Sequence, residues 1–122
     1  MACVFCESRE NLLYENNHVV AFYDRYPVSK GHVLIVPKRH VESYFDLRPE
    51  ERKAIDDALF AVKRHLDDTL HPDGINLGMN LGFAAGQTVP HAHLHVIPRQ
   101  RGDVDDPTGG VRGVIPERKT YP

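Results

Sequence analysis

A single long helix is the feature that most constrains how this sequence can fold. Apolar residues recur with a period of about 3.6 from Pro49 to Leu70, which predicts a helix with one buried face. The apolar positions are Ile55, Ala58, Leu59, Val62, Leu66 and Leu70. Pro49 suits the first helical turn, and Pro72 and Gly74 follow the predicted end. Short β-prone runs flank the helix on both sides, so we expect it to pack on a sheet.

The runs around the helix predict an antiparallel sheet of about five strands. Residues 12–15 and 19–23 flank Asn16-Asn17, which tolerates the positive φ of a tight turn, so they predict a hairpin. The apolar run at residues 32–37 predicts a central strand, and the alternation at residues 75–81 predicts another with one apolar face. We therefore predict an α+β fold in one domain, residues 1–122, in which residues 100–122 form a loop or arm that is too polar for a core of its own.

Residues 91–97 read His-Ala-His-Leu-His-Val-Ile, which predicts a strand with His91, His93 and His95 on one face. A solvated polar edge is the simplest interpretation. One metal ion cannot easily bind all three, because the outer Cα atoms of such a strand lie about 13 Å apart. Two of the histidines could still share a catalytic metal with a ligand from elsewhere, as in some zinc hydrolases.

Nucleophilic catalysis is the interpretation that we favour for these histidines. A neutral imidazole attacks through a nitrogen that carries no proton, so attack on phosphorus needs no separate base. Its other ring nitrogen must be held as a hydrogen-bond donor, usually to a carbonyl or carboxylate. The amide of Gln87, the hydroxyl of Thr88 and a flanking histidine, placed by a turn at Gly86, are suitable groups to hold the phosphate oxygens.

Composition excludes several other classes of partner. The net charge is −2 and the basic residues are dispersed, so we expect a small-molecule ligand and no nucleic acid. The N-terminus has no signal-peptide pattern and no apolar run has the length of a membrane span, so we predict a cytoplasmic protein with no membrane partner.

In a reducing compartment, Cys3 and Cys6 are not expected to form a structural disulfide. Their spacing suits either a redox pair or half of a zinc site.

Two motifs resemble those of the histidine triad (HIT) family. Residues 86–99 resemble its His-φ-His-φ-His-φ-φ signature, where φ is apolar, and residues 31–40 resemble its Gly-His-x-Leu-(Ile/Val)-x-Pro-(Lys/x)-x-His stretch. The resemblance implies a homodimer with a continuous sheet. It also implies a hydrolase that acts at the α-phosphate of a nucleotide, with His93 as the nucleophile, a nucleotidyl-histidine intermediate, and a nucleoside monophosphate as the product.

The same resemblance implies roles for further residues. His95, Gln87 and Thr88 would hold the phosphate oxygens, and His91 would either bind zinc or contact the phosphate. The implied nucleotide-binding residues are Asp24 for the ribose, Phe5 and Phe22 for the base, His32 near the nucleotide, and Asn80 for the phosphate chain or leaving group. The implied zinc ligands are Cys3, Cys6, His40 and His91, and we expect no organic cofactor.

The substrate remains the most open point. The Pro-Arg-x-x-Gly-Asp segment at residues 98–103 looks like the Fhit-like branch of the family, which favours dinucleoside polyphosphates. The cysteine pair and Asn80 look more like the Hint-like branch, so a purine nucleoside phosphoramidase is an alternative. A nucleotide-binding regulatory module with little turnover is another. The leaving group and the choice between adenine and guanine stay open.

Overall fold

A computed structural model describes residues 3–7 and 11–121 of the chain, so residues 1–2, 8–10 and 122 of the predicted domain lie outside the described residues. The elements of the sheet are β1 (Leu12–Glu15), β2 (Val19–Tyr23), β3 (Val33–Pro37), β4 (Gly74–Gly78) and β5 (Leu94–Arg99). The helices are α1 (Val4–Glu7) and α2 (Pro49–Leu70). In the described part of the chain, no helix has both the length and the apolar character that crossing a membrane requires.

The five strands form one antiparallel sheet with the order β1-β2-β3-β5-β4. The α+β prediction is therefore confirmed. The predicted hairpin is β1 and β2, and the predicted central strand is β3, whose five residues are all buried. The predicted long helix is α2, with the same two ends.

The two faces of the sheet have different coverings. On one face, α2 packs its apolar stripe on side chains of β2, β3 and β5, among them Val19, Ile35 and Val96. On the opposite face, a smaller apolar cluster consists of Val20, Phe22, Leu34 and Val36, with Phe5 of α1 packed against it. Because strand side chains alternate between the two faces, residues that point to this second face can form a site on the side of the sheet away from the helix.

An ion pair that the sequence did not reveal anchors the start of α2. Glu51 is only 2% exposed, and its carboxylate accepts two hydrogen bonds from the Arg39 guanidinium, at 3.0 and 2.7 Å. The same carboxylate accepts from the backbone N–H of Arg48 at 2.8 Å. The Glu51 carboxylate therefore caps the start of the helix by binding the Arg48 backbone. This bond compensates for the side chain of Arg48, which is a poor cap.

Two predictions of strand bounds were wrong. The strand predicted from His91 begins at Leu94, because the Ala92 N–H donates to the carbonyl of Val41 rather than to a neighbouring strand. The strand predicted for residues 75–81 ends at Gly78, and Leu77 on its supposed buried face is 44% exposed because β4 is an edge strand.

The predicted turn between β1 and β2 is present, but it does not use the positive φ that asparagine tolerates. No positive φ occurs at residues 16 and 17. Instead, the side-chain oxygen of Asn16 accepts from the N–H groups of His18 and Val19, both at 3.0 Å. The asparagine therefore closes the turn with its side chain rather than with a left-handed backbone.

Two loops fix the ends of β3 and β5. Gly31 precedes β3 with φ +87°, and a Cβ there would overlap the Cδ1 of Leu70, so a glycine is required. After β5, the Arg99 guanidinium donates two hydrogen bonds of 2.7 Å to Asp103, which closes the turn of the Pro-Arg-x-x-Gly-Asp segment. The following arm contains two short 3-10 turns, Gly110–Val114 and Pro116–Arg118, the first of which contacts β4.

Candidate active site and metal centre

A cleft of about 530 Å³ opens on the sheet face opposite α2. Six of the predicted site residues line it, namely Phe5, Phe22, Asp24, Thr88, His93 and His95. Its walls combine an apolar part formed by aromatic and aliphatic side chains with a polar part formed by the carboxylate and the imidazoles. This combination suits a ligand with an aromatic ring at one end and charged groups at the other.

His93 presents an unprotonated ring nitrogen to the cleft. Its Nδ1 lies 2.8 Å from the backbone carbonyl oxygen of His91. A carbonyl can only accept, so Nδ1 carries the hydrogen and the neutral ring keeps its lone pair on Nε2. The side chain is 8% exposed, and the ring of Phe5 packs edge-on against it with centroids 4.8 Å apart. His93 is therefore held in the tautomer that a nucleophilic imidazole needs.

His95 has the opposite tautomer because of a chain of hydrogen bonds behind it. The Val28 N–H donates to His32 Nδ1 at 3.1 Å, so the neutral His32 ring carries its hydrogen on Nε2. His32 Nε2 donates in turn to His95 Nδ1 at 2.9 Å. His95 must then carry its hydrogen on Nε2, which makes it a hydrogen-bond donor in the cleft beside the unprotonated nitrogen of His93.

The two histidines of this hydrogen-bond chain, His32 and His95, are kept neutral. Burial, together with the nearby rings of His93 and His32, lowers the pKa of His95 to about 4 against the opposing effect of Asp24. Burial also lowers the pKa of His32, although Asp24 acts in the other direction from 3.5 Å. At neutral pH, His95 is therefore a neutral hydrogen-bond donor in the cleft rather than an imidazolium.

Two predicted site residues have other neighbours in the structure. The Gln87 amide accepts from the Gly82 N–H at 2.8 Å and donates to the carbonyls of Glu42 and Val89 at 2.9 and 3.2 Å. It thereby ties together the segments that lead into the histidines. Asn80 lies beyond the end of β4, 3.9 Å from the position that a Cβ of Gly86 would occupy. Neither residue lines the cleft, and the roles predicted for them in phosphate binding stay predictions.

A second group of side chains lies directly behind the cleft. Ligand atoms of Cys3, Cys6, His40 and His91 all lie within 4.8 Å of one another. His91 Nδ1 is 3.4 Å from the Sγ of Cys3 and 3.4 Å from that of Cys6, and His40 Nδ1 is 3.2 Å from the Sγ of Cys6. Cys3 and Cys6 are not joined in a disulfide.

The protonation of His91 suits a metal ligand. Its Nε2 donates to the carbonyl of Pro37 at 2.7 Å, so its lone pair on Nδ1 faces the two thiols. Burial lowers the pKa of His91, which favours the neutral form that binds metals. Around a tetrahedral zinc ion, sulfur and nitrogen ligands would lie about 3.5 Å apart, close to the separations observed here. The four residues therefore fit a tetrahedral metal ion with sulfur and nitrogen ligands.

A third cluster, formed by Asp24, His32 and His95, also brings three potential ligand atoms within 4.8 Å of one another. Here the hydrogen-bond pattern opposes metal binding. The Val28 N–H occupies His32 Nδ1 and so keeps the hydrogen on Nε2, the nitrogen that faces the other two residues. A metal ion would need that nitrogen deprotonated. We therefore describe this cluster as an ordered hydrogen-bond chain.

Sequence reasoning missed seven of the residues that line the cleft, which are Val4, Asn11, Tyr23, Arg25, Tyr26, Leu34 and Val89. Leu34 could have been found, because it is paired with His95 across neighbouring strands and must share its face. Tyr23, Arg25 and Tyr26 could have been found as neighbours of Asp24 in the chain. The others reach the cleft through loops and through α1, for which the sequence pattern contains no signal.

Comparisons with known proteins agree with this geometry. The model of the HIT domain matches residues 6–102. A crystal structure of a HIT family protein from Bacillus anthracis is 39% identical, covers 82% of this chain and 74% of that chain, and superposes with a TM-score of 0.77. A zinc-bound histidine triad family protein from Mycobacterium smegmatis is 36% identical, covers 84% of this chain and 78% of that chain, and has a TM-score of 0.75.

A relative with a named activity is more distant. Bis(5'-nucleosyl)-tetraphosphatase [asymmetrical] from Schizosaccharomyces pombe is 34% identical over 78% of this chain, which spans 52% of that protein. The family model covers most of the present chain, including both motifs and all three alternating histidines. The chain therefore belongs to the histidine triad (HIT) family.

Proposed function

We propose that this protein is a nucleotide hydrolase that acts at an α-phosphate through a covalent nucleotidyl-histidine. The observation that carries the proposal is the pair of opposite tautomers in the cleft. His93 offers a lone pair on Nε2 because its Nδ1 donates to a carbonyl, and His95 beside it offers an N–H because its Nδ1 accepts. A nucleophile next to a donor is the arrangement that a phosphoryl centre requires.

The reaction would proceed in two displacements. His93 Nε2 attacks the α-phosphorus, an N–P bond forms, and the bond from phosphorus to the leaving group breaks with its electron pair on the leaving group. Water then attacks the same phosphorus and the N–P bond breaks with its electron pair on Nε2, which releases the nucleoside monophosphate, passes one proton of the water to solvent and restores the neutral imidazole. Throughout, the Nδ1–H of His93 stays bonded to the His91 carbonyl, which stabilises the positive charge of the intermediate.

His95 would act as a neutral hydrogen-bond donor to a phosphate oxygen. It holds its proton on Nε2 only as long as His32 donates to its Nδ1, and the Val28 N–H keeps His32 in that state. With a pKa of about 4, His95 is seldom protonated on both nitrogens at neutral pH. Its contribution is therefore electrostatic, of the kind that is worth about 3 kcal/mol when a preorganised donor is removed.

The remaining lining residues would bind the nucleoside. Asp24 is suited to accept hydrogen bonds from both ribose hydroxyls, and its backbone is fixed by the turn in which its carboxylate accepts from the Tyr26 N–H at 2.9 Å. Phe5 and Phe22, whose ring centroids are 5.9 Å apart, would form the apolar walls for the base. Thr88 would add a hydroxyl to the polar part of the cleft.

Zinc is the metal that we propose for the site of Cys3, Cys6, His40 and His91. Two sulfur and two nitrogen ligands in tetrahedral spacing favour it, and a zinc-bound relative supports it. With four protein ligands, the ion would supply structural cross-linking and no open position for water. A catalytic metal at Asp24, His32 and His95, the cluster that contains one of the three alternating histidines, is disfavoured by the hydrogen on His32 Nε2.

Dinucleoside polyphosphates are the substrates that we favour. The relative from Schizosaccharomyces pombe is named for cleavage of such a molecule. The turn closed by Arg99 and Asp103 supplies the segment that resembles the Fhit-like branch. A nucleoside phosphoramidate would bind the same cleft and lose an amine at the same phosphorus, so it remains the second candidate.

A variant of the nucleophile tests the proposal. His93→Ala should lower turnover of diadenosine polyphosphates and of adenosine phosphoramidate by a factor of about 1,000 or more. Mass spectrometry of acid-quenched wild-type protein should find a nucleoside monophosphate bound to the peptide that contains His93. His18→Ala, which removes an exposed histidine that does not line the cleft, is the matched control and should retain wild-type turnover. Wild-type turnover in His93→Ala would refute the mechanism.

We also propose that the protein forms a homodimer in the cytoplasm. Strand β4 is at an edge of the sheet and exposes Leu77, so a second copy could extend the sheet there. Light scattering should give twice the mass of the chain, and Leu77→Lys should shift the mass toward that of one copy. The cytoplasmic location stays a prediction from the sequence.

A further inference from the structure

We propose that metal binding at Cys3, Cys6, His40 and His91 sets the affinity of the cleft for nucleotides, because the metal holds α1 and α1 carries one wall of the cleft. This inference rests on the proposed function, since it takes the ligand of the cleft to be a nucleotide. It goes further by coupling the metal centre to the cleft through a named residue, Phe5.

Helix α1 is too short to hold itself in place. It contains four residues, and the backbone bond that closes it runs from the Cys6 N–H to the Cys3 carbonyl at 3.1 Å. Isolated helices of fewer than about 12 residues are marginal in water. Cys3 directly precedes α1 and Cys6 lies within it, and both Sγ atoms approach the buried ring of His91 at 3.4 Å. A metal bound to these atoms would therefore cross-link α1 at two points to the body of the protein.

Phe5 lies between the metal ligands and the nucleophile. Its ring centroid is 6.1 Å from that of His91, 4.8 Å from that of His93 and 5.9 Å from that of Phe22. Val4 and Phe5 both line the cleft. If α1 moved away, the base would lose two apolar contacts on one side, while Phe22 would remain on β2. Metal release should therefore weaken binding of the base.

The chemical groups themselves depend much less on the metal. The tautomer of His93 is set by the backbone carbonyl of His91, and the ring of His91 is held from its other side by the carbonyl of Pro37. The Ala92 N–H is bonded to the Val41 carbonyl at 2.7 Å, which fixes the intervening backbone. Loss of the metal should accordingly raise KM and leave kcat within about twofold, a division that a general loss of structure would not produce.

The coupling has a thermodynamic counterpart that needs no assay of turnover. If the metal tightens binding of AMP by a given factor, AMP must tighten binding of the metal by the same factor. We expect a factor of about ten, within the usual range for coupled sites. Zinc affinity, measured by competition with a chelating dye, should therefore rise about tenfold when AMP is saturating.

The experiment compares AMP affinity by calorimetry in zinc-loaded and chelator-treated protein. In the wild type, removal of zinc should weaken AMP binding about tenfold. In Phe5→Ala, the ligands remain but the wall is absent, so AMP should bind weakly and equally in both states. Phe60→Ala removes a phenylalanine that is 66% exposed on α2, on the other side of the sheet from the cleft, and it should retain the tenfold coupling. His40→Ala removes a ligand that does not line the cleft and should resemble the zinc-free wild type.

The outcomes separate this inference from the proposed function. Equal AMP affinity with and without zinc would overturn the inference and leave the proposed function intact. Coupling that persists undiminished in Phe5→Ala would overturn the assignment to Phe5. If zinc-loaded wild type did not bind AMP, both proposals would fail. Circular dichroism serves as a check on the zinc-free protein, because unfolding of the whole chain would contradict a coupling that is confined to α1.

Discussion

The neutral state of His95 makes a quantitative prediction about stability in acid. The pKa of this histidine is about 4 in the folded protein, mainly because of burial, against 6.5 for the free side chain. Between these two values, the unfolded chain carries a proton on His95 that the folded chain does not. The free energy of unfolding must therefore fall as the pH falls through this window, and the contribution is fully present above pH 6.5.

The size of the effect follows from the difference in pKa. Each pKa unit corresponds to about 1.4 kcal/mol, so the whole window is worth at most about 3 kcal/mol and the part down to pH 5 about 2 kcal/mol. The groups that face His95 are His93, His32 and Asp24, and the first two contribute to the lowered pKa. His95→Gln keeps all three and removes the titrating group itself.

Urea unfolding at about pH 7.5, 6 and 5 measures the effect. Both proteins are kept in chelator, so that acid release of a metal cannot contribute. The wild type should lose about 2 kcal/mol more than His95→Gln between the highest and the lowest pH. His18→Gln, at an exposed position, should follow the wild type. Equal losses in the wild type and in His95→Gln would refute the claim that His95 is kept neutral by the fold.

Two further predictions concern the frame that holds the site. Gly31→Ala should lower the free energy of unfolding by about 1–3 kcal/mol, because φ at Gly31 is +87° and the new Cβ would overlap Leu70 of α2. Gly78→Ala is the control and should lower the same free energy much less, because its new Cβ would meet no atom within 4 Å. Arg39→Met should cost about 3–5 kcal/mol in urea unfolding, since it leaves the carboxylate of Glu51 buried without its partner. Lys53→Met, which removes an exposed ion pair, should change the same free energy by less than about 1 kcal/mol.

The sequence predicted the helix and strands of this fold well where the hydrophobic periodicity of neighbouring residues indicates the type of element. The apolar stripe between Pro49 and Leu70 defined both ends of α2, and the buried run ending at Pro37 identified the central strand. The alternation of the histidines predicted His93 and His95 on one face, and both line the cleft, where His95 pairs with Leu34 of the smaller apolar cluster. These features depend on neighbours in the chain, which is why they can be read without a structure.

Predictions failed where a segment makes contacts with parts of the chain that are distant in sequence. The segment at His91 satisfies the periodicity of a strand, but the Ala92 N–H finds the carbonyl of Val41 instead of a neighbouring strand. Glu51 lies in a charged first helical turn of the kind that is usually solvated. The Arg39 guanidinium, 12 positions earlier, pairs with its carboxylate and allows its burial. Periodicity contains no information about such partners.

The sequence by itself determined that three imidazoles would alternate beside a buried sheet and that two thiols would be available near them. Only the tertiary structure decided what each imidazole can do. The carbonyl of Pro37 turns the lone pair of His91 toward the thiols, the carbonyl of His91 turns that of His93 toward the cleft, and the Val28 N–H acts through His32 to make His95 a donor. The position of a proton on a ring depends on the group that meets its other nitrogen, and only folding brings those groups together.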